Sequence, residues 1–249
     1  MVNIIGISRF KINYNDKHDL AGIVENYFFD VYNINNIKSI NYVVDLGSGI
    51  GDFALLASKK AEKVFAIEPN PKDYETLKEN IKINNISNII PINMAVSDKR
   101  QTLELRFKND VFQTEAAPLK CILNQYGMGF KKLDFIKMDI EGYERYVIPD
   151  NMDIIKSLNY MAMEIHDNYF PELNSIMQKY GFTFYRVNRN KYIKNSIKRL
   201  ILNPKSSLKV YKLMKKSGEY PGFSKILNGI EIAKSNELVI GVFKRNKLF

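Results

Sequence analysis

The sequence predicts an α/β fold: an open, mostly parallel sheet with helices on both faces. Three observations carry this. The apolar run Tyr42-Val43-Val44-Asp45-Leu46 passes directly into Gly47-Ser48-Gly49-Ile50-Gly51. A second run, Val64-Phe65-Ala66-Ile67, is closed by Glu68. Further apolar runs follow at 89–92, 133–138 and 160–163, with helical patterns between them. Continuous apolar runs suit strands buried on both faces, and helices supply the crossovers that parallel strands require. A chain of 249 residues that is 45% apolar can bury one substantial core.

The elements follow in order. Phe10, Ile12 and Tyr14 alternate with polar residues as a short half-buried strand does. From Asp19 to Tyr32, Leu20, Ile23, Val24, Tyr27 and Phe28 recur at three-to-four spacing, which predicts a helix laying one apolar stripe across the sheet. Asp52 to Lys60 is the expected first crossover helix. Asn70-Pro71 opens the next, with Asn as cap, Pro preset for the first turn, and Tyr74, Leu77 and Ile81 facing inward. Ile89 to Ile92 is the third strand, and Asn93-Met94-Ala95 lies at its carboxyl end, where open α/β sheets bind ligands.

Leu103 to Phe107 alternates and adds a strand outside the basic pattern; a linker follows, then a helix over Leu119 to Tyr126. Leu133 to Met138 is the fourth sheet strand, ending at Asp139, and a helix starting near Gly142 carries Tyr143, Tyr146 and Val147 on one side. Tyr160 to Met163 leads into Glu164 and His166 at another strand end. A helix from Phe170 to Tyr180 and strands at Phe182–Val187 and Glu237–Phe243 complete the pattern. The organisation expected is an N-terminal strand and cap helix (1–40), a main domain (41–187 and 235–249), and a basic amphipathic insertion or lid (188–234).

The glycine loop and Glu68 point to adenosine. Gly47, Gly49 and Gly51 let the backbone turn sharply and approach a ligand, and Glu68 stands 23 residues beyond Asp45, where an acid can accept both ribose hydroxyls. A dinucleotide fingerprint would need a third glycine at position 52, which is Asp52. The G-x-G-x-G loop instead suits S-adenosylmethionine, which has an amino-acid tail and no pyrophosphate. The plainer alternative is a tight strand-to-helix turn. Expected cofactor contacts are Asp45, Gly47, Ser48, Gly49, Gly51, Glu68 and Pro69, with adenine at Asn93, Met94 and Ala95, and Asp139 at the neighbouring strand end.

Methyl transfer to a hydroxyl needs collinear donor and acceptor and a group that takes the proton. Asp139, Glu141, Glu144, Glu164 and His166 are the carboxyl-edge candidates. His166 ranks first, because its unperturbed pKa of about 6.5 suits a proton acceptor; otherwise it is a strand-end residue bonded to backbone. Asp139 and Glu141 can bind substrate hydroxyls or, with Glu164 and His166, ligate a divalent ion, although no metal is assigned. Glu144, three residues into its helix, reads as an acid complementing the helix dipole. The Asn-Pro-Pro-Tyr run of amino-group methylases of nucleic acid is absent after the fourth strand. Cys121 lies in an apolar helix pattern and suits packing better than attack on a pyrimidine.

The run Lys137-Met138-Asp139-Ile140-Glu141-Gly142-Tyr143-Glu144 resembles the strand-four signature of the FkbM-type methyltransferases. The glycine loop, Ile67-Glu68-Pro69-Asn70-Pro71, Ala95-Val96-Ser97-Asp98 and Glu164-Ile165-His166 are similar to the family's other landmarks, in the same order. The resemblance spans roughly Asp19 to His166. It implies a Rossmann-like, seven-stranded class I methyltransferase fold and transfer from S-adenosylmethionine to an oxygen, often on a sugar or secondary metabolite. Two departures stand out: Leu119-Lys120 replaces the family's usual Leu-Asp pair, and the tail after Val187 has no obvious counterpart.

A single cysteine rules out an internal disulfide and agrees with a reducing cytoplasm. Met1 to Ile7 lacks the features of a signal peptide, and no apolar run approaches a membrane span, so a soluble, cytoplasmic protein is expected. The charge is uneven: thirteen Lys and Arg against Glu219 and Glu231 lie between Arg186 and Lys234, and the rest is nearly neutral. There Ile193, Ile197, Leu200 and Ile201 form one apolar stripe and Val210, Leu213 and Met214 another. These helices are a lid packed on the domain, or their lysines meet a polyanion: RNA, with Tyr192, Tyr211, Tyr220 and Phe223 to stack, or anionic lipid or acidic glycan. The leading expectation is an O-methyltransferase acting on a sugar, glycan or secondary-metabolite hydroxyl. The alternatives are a tRNA or rRNA methyltransferase and an inactive cofactor-binding scaffold. Oligomeric state stays open.

Overall fold

The computed structural model describes residues 3–7, 9–38, 40–107, 110–129, 133–166, 168–186, 194–195, 197–198, 201–202, 204–217 and 239–246. The chain opens with an antiparallel hairpin, β1 (Asn3–Ile7) and β2 (Phe10–Tyr14). Asp16 caps α1 (Lys17–Val24) by accepting from the His18 and Asp19 amides. The helix then widens into a π-helical turn over Glu25–Phe29, which stops at Asp30 in the left-handed region. The single helix predicted over Asp19 to Tyr32 is therefore two segments. The hairpin partner β1 went unseen because only Phe10 to Tyr14 alternates clearly.

The main domain continues with β3 (Ile40–Leu46), α2 (Asp52–Ala57), β4 (Ala61–Ile67), α3 (Pro71–Ile83) and β5 (Ile89–Ile92). The first crossover helix is shorter than the Asp52 to Lys60 span expected. Asn70 caps α3 through the Lys72 amide, with Pro71 in the first turn. Next come β6 (Ala95–Val96), β7 (Gln101–Phe107) and β8 (Asp110–Ala117), which pair as a separate three-stranded sheet in the order β6-β8-β7. β8 occupies the stretch read as a linker. Its Thr114 and Glu115 interrupt the apolar pattern, and its pairing with β7 is what orders it.

The remaining elements are α4 (Leu119–Gln125), β9 (Leu133–Met138), α5 (Glu144–Asp150), α6 (Met152–Ile155), β10 (Tyr160–Ile165), α7 (Phe170–Lys179), β11 (Phe182–Tyr185), α8 (Pro204–Ser217) and β12 (Val239–Arg245). The central sheet has seven strands in the order β11-β12-β10-β9-β3-β4-β5. Only β12 runs against its neighbours. This is the doubly wound, Rossmann-like arrangement that the sequence predicts.

Strand alternation divides the interior into two cores. Val43, Val64, Ala66 and Phe135 join α1, α2 and the hairpin on one face, while Val44, Phe65, Ile67 and Ile136 join the α4 to α7 side. Of the basic segment, α8 packs on β1 and α1, and Val210 is buried. Of the other stripe, Ile197 and Ile201 face solvent. Ile193, Leu200, Tyr192, Tyr220 and Phe223 lie outside the described residues, as do the side chains of Tyr211, Leu213 and Met214.

Candidate functional site

Strands β3, β4, β5, β9 and β10 are parallel, so their carboxyl ends share one edge. After β3 the backbone turns through Gly47, Gly49 and Gly51, all at positive φ. At two of these a side chain has no room: a Cβ on Gly47 would lie 1.8 Å from the Asp139 carbonyl oxygen, and one on Gly51 would lie 2.3 Å from Leu77 Cδ1. Above Gly49 the space is open, with nothing within 4 Å of a Cβ position. The loop is thus pressed against β9 and α3 from below and free above, as a ligand cradle must be.

Glu68, at the end of β4, fastens the loop. Its Oε2 accepts from the Gly49 amide at 2.7 Å and its Oε1 from the Asn70 amide at 2.8 Å. Each oxygen retains a further lone pair for a ligand hydroxyl. Burial pushes this carboxyl up to about 7, against the pull of the Asn70 and Gly49 amides. Asn93 donates to the Glu68 and Pro69 carbonyls, and Met94 and Ala95 are buried beside it. The buried Ser48 hydroxyl has no hydrogen-bond partner among the described residues. These features fit an adenosine cofactor held by the loop. Asp45 differs from its expected role: it is fully buried and faces Lys137 at 3.4 Å rather than the open side.

Lys137 is the residue that pattern reading passed over. Its Nζ donates to the Gly47 carbonyl at 2.6 Å and lies 3.4 Å from Asp45 Oδ1 and 3.6 Å from Asp139 Oδ2. Burial alone would strip its charge, yet Asp45, Asp139 and Asp52 more than offset that and keep it protonated. One ammonium therefore ties the glycine loop to the end of β9. The signal was available as a lysine inside an apolar strand, since a buried charge must be paired. Tyr32 and Glu25 were missed too. The Tyr32 hydroxyl donates to Asp139 Oδ2 at 3.1 Å, and Glu25 is raised to about 7 by burial and then by Asp139.

Four expected catalytic residues come together here. His166 Nε2 lies 3.6 Å from Glu164 Oε1 and 3.8 Å from Glu141 Oε2, and Nδ1 lies 3.3 Å from Glu144 Oε1. Asp139, Glu164 and His166 each offer a ligand atom within 4.8 Å of the others, a spacing that can hold a divalent cation. Glu144, read from sequence as a helix-end acid, is buried and also accepts from the Ile140 and Gly142 amides. It joins the loop after β9 to the imidazole. The unperturbed pKa expected of His166 is corrected by this contact. The hydrogen bond to Glu144 raises it to about 9 despite burial, with Glu164 and Glu141 adding to the effect. Burial, followed by Asp139 and Glu25, raises Glu164 well above the carboxylate range.

Lys120, which replaces the family's usual acid, forms a surface ion pair with Asp153 at 3.5 Å. Cys121 is a partly buried free thiol packed at the edge of a core.

The methyltransferase FkbM domain model matches residues 45–184. Over 139 residues the chain is 29% identical to the hexuronic acid methyltransferase AglP of Haloferax volcanii, covering 51% of this chain and 57% of that protein. A shorter stretch of 50 residues is 48% identical to the tRNA (guanine(37)-N(1))-methyltransferase Trm5b of Pyrococcus abyssi, covering 20% of this chain and 15% of that one. The solved FkbM methyltransferase of Methylobacillus flagellatus aligns over 58% of this chain and 39% of its own at 20% identity, with a TM-score of 0.44. The chain thus spans less than two thirds of the length of each of these proteins.

Proposed function

The chain belongs to the methyltransferase FkbM family, and from that premise we propose that it methylates a hydroxyl oxygen of a sugar, glycan or secondary metabolite using S-adenosylmethionine. The observation that carries the reading is the junction of two sites at one sheet edge: the Gly47–Gly51 cradle with Glu68, and the Asp139–Glu141–Glu164–His166 cluster, locked together through Lys137 and the Asp139 backbone. When bound, S-adenosylmethionine would supply an activated methyl carried on its sulfonium.

The protein's residues do the rest. Glu68 accepts the ribose hydroxyls, the loop amides and Ser48 hold the amino-acid tail, and Asn93 to Ala95 border the adenine. Asp139 and Glu141 orient the acceptor hydroxyl, and His166 Nε2 takes its proton once the imidazole is neutral. Glu144 holds Nδ1, so Nε2 is the nitrogen left to face the acceptor. The cluster's carboxylates also make the edge favourable for a cationic methyl donor. That a relative is named a hexuronic acid methyltransferase supports a glycan acceptor.

A second reading, methylation of RNA, is favoured by the short stretch shared with a tRNA methyltransferase and by the basic segment after Arg186. Both are tested by incubating the protein with methyl-labelled S-adenosylmethionine and native cell extract, with and without Mg²⁺, then separating RNA, carbohydrate and small-molecule fractions. Label in ribonuclease-resistant carbohydrate or small molecules is expected. Label lost on ribonuclease treatment would replace the acceptor class with RNA.

A further inference from the structure

We infer that the basic segment around α8 docks the molecule on an anionic membrane surface. From Arg186 to Gly218 the sequence holds eleven Lys and Arg and no acid. Lys194, Lys198, Lys205, Lys209 and Lys212 are all exposed. Between them stand four large aliphatic side chains that also face water: Ile197 at 48% exposure, Ile201 at 74%, Leu202 at 59% and Leu208 at 53%. Isolated exposed aliphatics are ordinary, but four within twelve residues, set among lysines, make a mixed patch.

The patch is held in place. On α8, Ser207 and Val210 turn inward, and helical spacing sets Lys205, Leu208 and Lys212 on the opposite side. Lys209 Nζ donates to the Ile4 carbonyl at 3.2 Å, and Asn195 donates to the Phe29 carbonyl at 2.9 Å. Asn195 and α8 therefore lie along the outside of β1, α1 and its π-helical continuation. Ile4 on β1, 50% exposed, extends the apolar surface.

Lysines alone would suit RNA, acidic glycan or lipid equally, because attraction to phosphate is largely sequence-independent. The exposed aliphatic groups favour lipid. Isoleucine and leucine gain nothing on a phosphodiester or a sugar hydroxyl, and base stacking calls for aromatic rings. They gain their transfer free energy by entering the boundary between headgroups and acyl chains, while lysines snorkel to the phosphates. No described helix is long and apolar enough to cross a membrane, so the contact is a surface one. The docking face backs onto α1, and the chain after its π-helical continuation carries Tyr32, whose hydroxyl donates to Asp139.

The test is flotation of the full chain with vesicles of phosphatidylcholine containing about a third phosphatidylglycerol, against pure phosphatidylcholine, at low and high salt. Binding to the anionic vesicles alone, weakened by salt, is expected. K198A/K205A/K212A should lower the partition constant by roughly fivefold per lysine removed. I201S/L202S/L208S should lower it by roughly tenfold per residue inserted. Both variants should keep the wild-type melting curve and donor affinity, since the altered side chains are exposed. Equal flotation on neutral vesicles, wild-type binding by both variants, or no flotation on anionic vesicles would each overturn the inference. So would capture by an RNA homopolymer that anionic vesicles fail to displace. None of these readouts depends on methyl transfer.

Discussion

His166 Nδ1 lies 3.3 Å from the buried Glu144 carboxylate, and that contact is the leading reason its pKa stands at about 9. Only the neutral imidazole accepts a proton, so transfer should climb with pH through about 9 rather than near 6.5. The stability linkage runs the other way. A raised histidine pKa contributes stability in full below its unfolded value, and that contribution is lost as pH rises through about 9. H166N should reduce kcat by a factor of roughly 10² to 10⁴, remove the rise in rate through about 9, and leave donor affinity by calorimetry unchanged. A kcat within twofold of wild type would remove His166 from the mechanism. Glu68 poses the complementary case, with burial raising it to about 7. Its ionised form is the better acceptor for ribose hydroxyls, so donor binding should tighten as pH rises through 7. E68Q should weaken donor binding roughly tenfold to a hundredfold and flatten that dependence, as titration calorimetry across the pH range would read.

Elements earn their positions through a few buried polar contacts as well as apolar area. Asn80 on α3 is fully buried; its Oδ1 accepts from the Asn13 amide, and its Nδ2 donates to the Asn13 carbonyl at 3.0 Å and the Ile50 carbonyl at 2.9 Å. One side chain thus fastens the hairpin, α3 and the glycine loop. N80A leaves those backbone groups unpaired and should cost about 2–4 kcal/mol in chemical denaturation, with a loss of donor affinity that N84A does not share. A change below about 0.5 kcal/mol would show the staple to be dispensable. Sequence periodicity had assigned the inward face of α3 to Tyr74, Leu77 and Ile81. All three pack on the core, Tyr74 and Ile81 partly buried beside Leu77, and the buried face also takes in Asp73, Thr76 and Asn80, which periodicity did not include. The difference shows where legibility ends. Strands such as Val64–Ile67 and Leu133–Met138, and the acids closing them, stood out because burial on both faces leaves an unbroken apolar run. Asn80, Tyr32 and Glu25 are selected by partners 67, 107 and 114 positions away, and no local pattern records such distances. The π-helical turn after α1 escaped for the same reason, since its residues keep helical spacing while the chain bends to bring Tyr32 to Asp139.

At the scale of the whole molecule, charge and core are organised separately. The excess of basic over acidic residues lies in one segment, while Asp45 and Asp139 gather around Lys137 at the carboxyl edge of the sheet. The core is less divisible than the sequence suggests. The family match begins at Asp45, yet Ile5, Ile12, Leu20, Ile23, Val24 and Tyr27 lie in one cluster with Val43, Phe53 and Leu77, each nearly or wholly buried. Burying a side chain of this size contributes about 1.5–3 kcal/mol, so these six together contribute on the order of 10 kcal/mol. That equals the entire net stability of an ordinary domain, about 5–15 kcal/mol. A chain beginning at residue 41 would also lose Tyr32 and Glu25 from the transfer edge and leave Asn80 without its hairpin partner. Such a truncation should show no cooperative thermal transition by calorimetry, should bind a hydrophobic dye, and should fail to bind S-adenosylmethionine. A soluble truncation that melts cooperatively and binds the donor with wild-type affinity would show that the N-terminal hairpin and α1 are an addition to an independent domain; the core they share with Val43, Val64 and α2 on one face of the sheet predicts the opposite.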